Sequence, residues 1–125
     1  MKHLLDVNVL LAAIWTHHSR HAETFAWLQG KQIVLCPLSE LGFLRISSNK
    51  KAMGIPMEKA RTGLATFAKE RKADWLSADL PALDSKADKS EQVTDNYLAD
   101  LARKHRHKLA TLDESIKHTA AEVIR

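Results

Sequence analysis

Short apolar runs alternate along the chain with longer stretches in which apolar residues recur at helical spacing, the pattern left by βαβ units around a parallel sheet. The first run opens at Leu4 and Leu5 and continues from Val7 to Ile14 after one acidic interruption, Asp6. His21, Thr24, Phe25 and Leu28 then recur at helical spacing, and Gly30 stands where a helix would stop. A second run, Ile33 to Cys36, closes at Pro37. Its near-continuous apolar character is that of a strand buried on both faces. Helical spacing returns with Leu38, Leu41 and Leu44, and again with Met57, Ala60, Leu64, Phe67 and Ala68. Trp75 and Leu76 predict a short strand. Val93-Thr94 leads into Asp95, beyond which Leu98, Leu101, Ala102 and His105 mark one helix face. Lys108 to Leu112 is strand-like, and Ala121 to Ile124 is a candidate edge strand. The expected fold is a three-layer α/β/α sandwich around a central, mostly parallel sheet of four or five strands.

Composition narrows this little. A chain of 125 residues, with no repeat and no Gly/Ser or Pro-rich linker, is expected to form a single domain over 1–125. Asp84 to Gln92, poor in apolar residues, is expected to be a surface loop. No apolar run approaches the ~20 residues of a membrane span. An acidic residue at position 6 interrupts any signal-peptide core, so the expected location is cytoplasmic. The single cysteine, Cys36, excludes an internal disulfide and a Cys-rich zinc site. His17 and His21 have a metal-binding spacing but lack further ligands. Lys and Arg total 19 against 15 for Asp and Glu, a net charge of +4 that leans towards polyanionic partners.

The informative residues are carboxylates. In parallel α/β sheets, ligands bind at the carboxyl ends of the strands. Asp6 follows Leu4-Leu5, Glu40 falls in the first turn of the helix after Cys36, Asp95 follows Val93-Thr94, and Asp113 follows Leu109 to Leu112. A parallel sheet projects all four from one edge. Each alone has a structural explanation, since acidic residues cap helices and favour their first turns by ~0.3–1 kcal/mol. Asp6 resists it, because an unpaired carboxylate in an apolar segment costs several kcal/mol. Convergent carboxylates are relieved by raised pKa values or by a bound cation. Oxygen ligands suit Mg²⁺ or Mn²⁺ rather than zinc, and such ions serve phosphoryl chemistry.

The segments around these residues resemble the PIN-domain ribonucleases, and more narrowly the VapC-type toxins of toxin–antitoxin pairs. The resemblance rests on Leu4-Leu5-Asp6-Val7-Asn8-Val9-Leu10-Leu11-Ala12, on His17-His18-Ser19-Arg20-His21-Ala22 with Ala26-Trp27-Leu28, and on Cys36-Pro37-Leu38-Ser39-Glu40-Leu41-Gly42-Phe43-Leu44-Arg45. Thr94-Asp95-Asn96-Tyr97-Leu98-Ala99-Asp100-Leu101-Ala102 and Leu109-Ala110-Thr111-Leu112-Asp113 complete it. These segments follow one another in family order over nearly the whole chain. The resemblance implies a Mg²⁺- or Mn²⁺-dependent endoribonuclease that hydrolyses RNA to a 5′-phosphate and a 3′-hydroxyl. It also implies a homodimer inhibited by a small VapB-type antitoxin, whose C-terminal segment lies across the active-site groove. The family often carries a further acidic residue after the fourth; Glu114 and Ser115 occupy that neighbourhood here.

On this reading Asp6, Asp95 and Asp113 hold the metal directly or through water, and Glu40 acts through a water or orients the nucleophile. Asn8, two residues after Asp6 in an extended segment, and Thr111, two before Asp113, support them. Arg45 is the candidate for gripping the RNA backbone, against a structural ion pair or a helix C-terminal charge as its competitor. The basic run Arg103 to Lys108 sits at a helix C-terminus, where the dipole alone favours cations. Two rivals stand. A haloacid-dehalogenase-type phosphatase wants a second Asp two residues after the first and then a Thr, and Asn8 and Leu10 depart from that pattern. A catalytically silent PIN-like RNA- or protein-binding module would be marked by lost acidic residues, and all four are present.

Overall fold

In a computed structural model, which describes residues 1–125, the chain forms five strands and five α-helices. The strands are β1 (Lys2–Leu5), β2 (Gln32–Leu35), β3 (Asp74–Trp75), β4 (Lys108–Thr111) and β5 (Ala121–Val123). The helices are α1 (Val7–Ile14), α2 (His21–Leu28), α3 (Pro37–Ser48), α4 (Met57–Glu70) and α5 (Val93–Lys104). The sheet order is β3-β2-β1-β4-β5 and every pairing is parallel.

Alternation along the strands divides the core in two. Leu5, Ile33, Leu35 and Ala110 point to one face, where α1 to α4 pack. Leu4, Val34 and Leu109 point to the other, covered by Tyr97, Leu98, Leu101 and Ala102 of α5. The sandwich is therefore three-layered but lopsided. Fully burying each such Leu is worth ~1.5–3 kcal/mol.

Four sequence expectations are corrected. Leu4 to Ile14 is not one run. The strand stops at Leu5, and Asp6 caps α1, its Oδ1 accepting from the Val7 amide at 2.8 Å. Asn8 is consequently helical, not extended. Val93-Thr94 is not a strand but the start of α5, so Asp95 lies within a helix's first turn. In α3 the apolar stripe Leu38, Leu41, Leu44 faces the core only in part: Leu38 and Leu44 pack half-buried against it, but Leu41 turns to solvent. Leu41 is 61% exposed, and the buried face is Ser39, Gly42, Phe43 and Ser47. The reason is close approach: a Cβ on Gly42 would lie 2.5 Å from Cγ2 of Val7 in α1, so small residues must occupy that contact. The 84–92 segment is a loop with two short 3-10 turns, as expected.

Candidate active site

All strands being parallel, their carboxyl ends form one edge, and the N-termini of α1, α3 and α5 return to it. Asp6 leaves β1 there. It is 2% exposed, and its two oxygens are bound by different groups. Oδ1 accepts from the Val7 amide, and Oδ2 accepts from the Thr111 hydroxyl at 2.8 Å. Thr111 is the last residue of β4, the strand beside β1. Its hydroxyl in turn accepts from the Asp113 amide at 3.1 Å and from Asn8 Nδ2 at 3.4 Å. Asn8 Oδ1 accepts from the Leu112 amide at 3.1 Å. One hydroxyl, with its single proton and two acceptor positions all used, thus ties β1, α1 and the β4 exit together. Of the two residues expected to support the acids, Thr111 bonds Asp6 directly, whereas Asn8 bonds only Thr111 and the Leu112 amide, reaching β4 from a helical turn.

Asp113 is fixed differently. Its Oδ1 accepts from the Ser115 amide at 2.9 Å and the Ser115 hydroxyl at 2.6 Å, and these bonds hold its carboxyl below the ordinary value. Asp95, half-buried on α5, is pushed up to about 7, first by lost hydration and then by the charges of Asp6 and Asp113. Burial also raises Asp6, against the opposing pull of its Thr111 and Val7 hydrogen bonds. Asp6 thus raises Asp95, Asp113 adds to the rise of both, and Asp113 itself is held low by Ser115.

Glu40 stands apart from this cluster. Its Oε1 accepts from the Trp75 indole at 3.1 Å, towards the β3 side of the edge, and it contributes to none of the three shifts. Arg45 is exposed in the last turn of α3 and makes no ion pair, so of its two structural explanations the ion pair falls and the helix C-terminal charge stands. Glu114 points away, 72% exposed, with its carboxylate 3.8 Å from Arg125. His21 Nδ1 bonds the Ala12 carbonyl at 2.8 Å, a structural role.

Three contributors escaped the sequence reading. Ser115 clamps Asp113; an Asp two residues before a Ser is the signal of such a turn. Ser39 is fully buried and donates to the Leu5 carbonyl at 2.8 Å, docking α3 on the end of β1. Arg20 reaches the Leu112 and Ile124 carbonyls, at 3.4 and 3.3 Å, bracing the β4 exit. Neither Ser39 nor Arg20 carries a sequence cue, because both act across distant parts of the chain.

No three Asp, Glu, His or Cys side chains approach closely enough to close a metal site by themselves. Such openness suits Mg²⁺, which takes one or two carboxylates and fills its remaining positions with water and substrate oxygens. The unrelieved repulsion on Asp95 is what a cation would remove. The donor set, all carboxylate oxygen, fits a hard divalent ion.

A wholly parallel, doubly covered sheet with three aspartates gathered at its carboxyl edge defines an α/β protein with an acidic edge. No family model matches the chain. Ribonuclease VapC44 of Mycobacterium tuberculosis is 36% identical over 130 aligned positions, spanning 96% of this chain and 92% of that protein. Ribonuclease VapC38 of the same organism is 33% identical over 121 positions, spanning 90% and 86%. The chain belongs to the VapC ribonuclease family. Among solved structures, VapBC2 from Rickettsia felis, bound to a DNA fragment from its promoter, has the same fold. Its TM-score is 0.63 at 15% identity, covering 98% of this chain and 97% of that one. No helix is long and apolar enough to cross a membrane.

Proposed function

We propose that the protein is a metal-dependent endoribonuclease toxin that hydrolyses RNA phosphodiester bonds, acts as a homodimer and is held in check by a small VapB-type antitoxin. The observation that carries the reading is the buried Asp6, held by Thr111 and coupled to Asp95 and Asp113, in a chain whose relatives are ribonucleases. The neighbouring fold was solved as a VapBC pair, which supports an antitoxin partner. Asp6, Asp95 and Asp113 would hold the ion, Mg²⁺ or Mn²⁺. When bound, it supplies positive charge to the phosphate and lowers the pKa of the attacking water.

The chain's own groups do the rest. Thr111 and Val7 oppose the upward push of burial on Asp6 and fix its rotamer, leaving its outward lone pairs free. Ser115 keeps Asp113 ionised and aimed. Asn8 locks Thr111 and the Leu112 amide, so the β4 exit cannot swing away from β1. Arg45, exposed and unpaired, grips the RNA backbone. Glu40, oriented by Trp75, orients the water or a substrate hydroxyl.

Purified protein freed of any partner, incubated with RNA and Mg²⁺ or Mn²⁺, tests this. Cleavage should vanish with chelator and in Asp6→Asn and Asp95→Asn, leaving 5′-phosphate ends. Cleavage indifferent to chelator and to both substitutions would sink the metal mechanism. Expression alone should arrest growth, and co-expression of a small neighbouring reading frame should relieve it.

A further inference from the structure

Every strand begins at the edge opposite the carboxylates, and cations gather there. Lys2 opens β1, Lys31 immediately precedes β2, Lys72 lies shortly before β3, and Arg106 and His107 lead into β4, which starts with Lys108. The strand order sets them in a row: Lys72, Lys31, Lys2, then Arg106 and Lys108. Neighbouring strands lie ~4.8 Å apart, so the row is about 14 Å long. Two depressions follow it. One is lined by Lys2, Lys31, Arg71 and Lys72 with a single carboxylate, Asp74, which Lys2 pairs, and the other by Arg103, Arg106, His107 and Lys108. Burial first, then the charges of Lys2 and His105, hold the His107 imidazole below its ordinary value, with Asp74 acting the other way.

Helix C-termini attract cations without any partner outside the chain, and several of these residues are accounted for in that way. Lys31 Nζ donates to the Trp27 carbonyl at 3.2 Å, and Arg71 to the Leu28 carbonyl at 3.2 Å. Lys2 pairs with Asp74, and Arg103 with Asp100. Lys72 and Arg106 are different. Both are exposed, and neither side chain makes a hydrogen bond or ion pair. Both also hold left-handed backbone, with φ of 52° and 61°, where glycine sits without strain, as Gly30 does at the end of α2 with φ of 77°. Two long cations occupy glycine-favouring positions with nothing in the chain to bind.

We propose that this edge is a docking surface for the phosphate backbone of RNA, separate from the carboxylate edge, with Lys72 and Arg106 as its unpaired contacts. The choice of RNA rests on the ribonuclease reading, which makes RNA the polyanion the protein meets. A lipid surface fits worse, because Met1 is the only large exposed apolar side chain lining the two depressions.

Fluorescence anisotropy of a labelled RNA hairpin in excess chelator, over a range of salt concentrations, tests the proposal without cleavage. The double variant Lys72→Gly/Arg106→Gly removes both charges while suiting the backbone, so its melting temperature should equal or exceed wild type. Loss of two phosphate contacts should make the slope of log affinity against log salt shallower by about 1.5, with an affinity loss of about tenfold at low salt. Arg106→Glu alone should weaken binding further than Arg106→Gly. Unchanged affinity and slope in the double variant overturn the proposal. So does charge-dependent binding to phosphatidylserine vesicles with RNA binding unaffected, or a matched DNA hairpin bound more tightly than RNA. Absence of cleavage by wild type would sink the ribonuclease reading but leave this titration readable. A flat titration with cleavage intact would confine RNA contact to the carboxylate edge.

Discussion

Replacing Asp95 by asparagine should stabilise the metal-free protein, and only above a definable pH. Asp95 is raised from an ordinary 3.8 to about 7 in the folded state, so between those values the folded chain holds a proton that the unfolded chain has released. Stability therefore falls as pH rises across that window, and the full cost is present above about 7. Taken whole, a shift of this size corresponds to ~4 kcal/mol at 1.36 kcal/mol per unit. Asp95 is only half-buried, and solvent screening reduces the realisable gain to about 1–2 kcal/mol. At ~2.1 cal/mol/K per residue of unfolding entropy, that raises the melting temperature of a domain this size by about 4–8 °C. The measurement is a pair of melting curves, wild type and Asp95→Asn, from pH 4 to pH 8 in chelator. The difference should be near zero at pH 4 and largest at pH 8. Adding Mg²⁺ at pH 8 should close it by raising wild type, not the variant. A variant that melts with or below wild type at pH 8 in chelator would refute the coupling among the three aspartates.

Further tests follow from the same geometry. Thr111→Val should cost ~1–3 kcal/mol at neutral pH, since it strips the hydroxyl from Asp6 Oδ2 and unpairs the Asp113 amide. The loss should shrink in acid, where Asp6 is protonated, as denaturant midpoints at two pH values will show. Ser115→Ala should let the Asp113 pKa rise towards its ordinary value, moving the acid limb of the cleavage pH profile to higher pH with little change in fold. Gly42→Ala should destabilise by ~1–3 kcal/mol through the collision with Val7, and Val7→Ala in the same chain should restore most of it. Failure of that rescue in thermal melts would remove the close contact between α1 and α3 as the cause.

The parallel sheet and its acidic edge were legible because they rest on local signals. Apolar runs such as Ile33 to Cys36 mark buried strands, and Asp6 betrays itself by interrupting one. The strand ending at Leu5 was not separable from α1, because both are apolar and the boundary is a single capping residue. The buried face of α3 misled for the opposite reason. Its core contact is made by Gly42 and two serines, which carry no hydrophobic signal, while Leu41 faces out. Glu40 was correctly placed in a first turn, but its hydrogen bond to Trp75 joins α3 to β3 across 35 positions, which no spacing rule foresees. Thr111 was legible from its two-residue offset to Asp113, and Ser115 lay within reach of a turn reading; Arg20, bracing Leu112 and Ile124 from the far side of the chain, did not.

The modest excess of 19 basic over 15 acidic residues averages two opposed edges. Parallel topology itself invites this: helix N-termini at the finishing edge tolerate Asp6, Glu40 and Asp95, and helix C-termini at the starting edge tolerate Lys31, Lys72 and Arg106. Dipole preference and function therefore predict the same signs of charge, and neither sequence nor net charge can separate them. What separates them is whether the charges are satisfied. A carboxylate placed only to cap a helix should be solvated and ordinary in its titration, whereas Asp95 is lifted to about 7 by Asp6 and Asp113 as well as by burial. A cation placed only to answer a dipole should reach a carbonyl, as Lys31 does, whereas Lys72 and Arg106 reach none. The unsatisfied groups lie at opposite ends of one sheet, one set short of positive charge and the other short of negative. On the proposed reading a divalent ion would answer the first and a polyphosphate chain the second, so that a single RNA-cutting function would account for both.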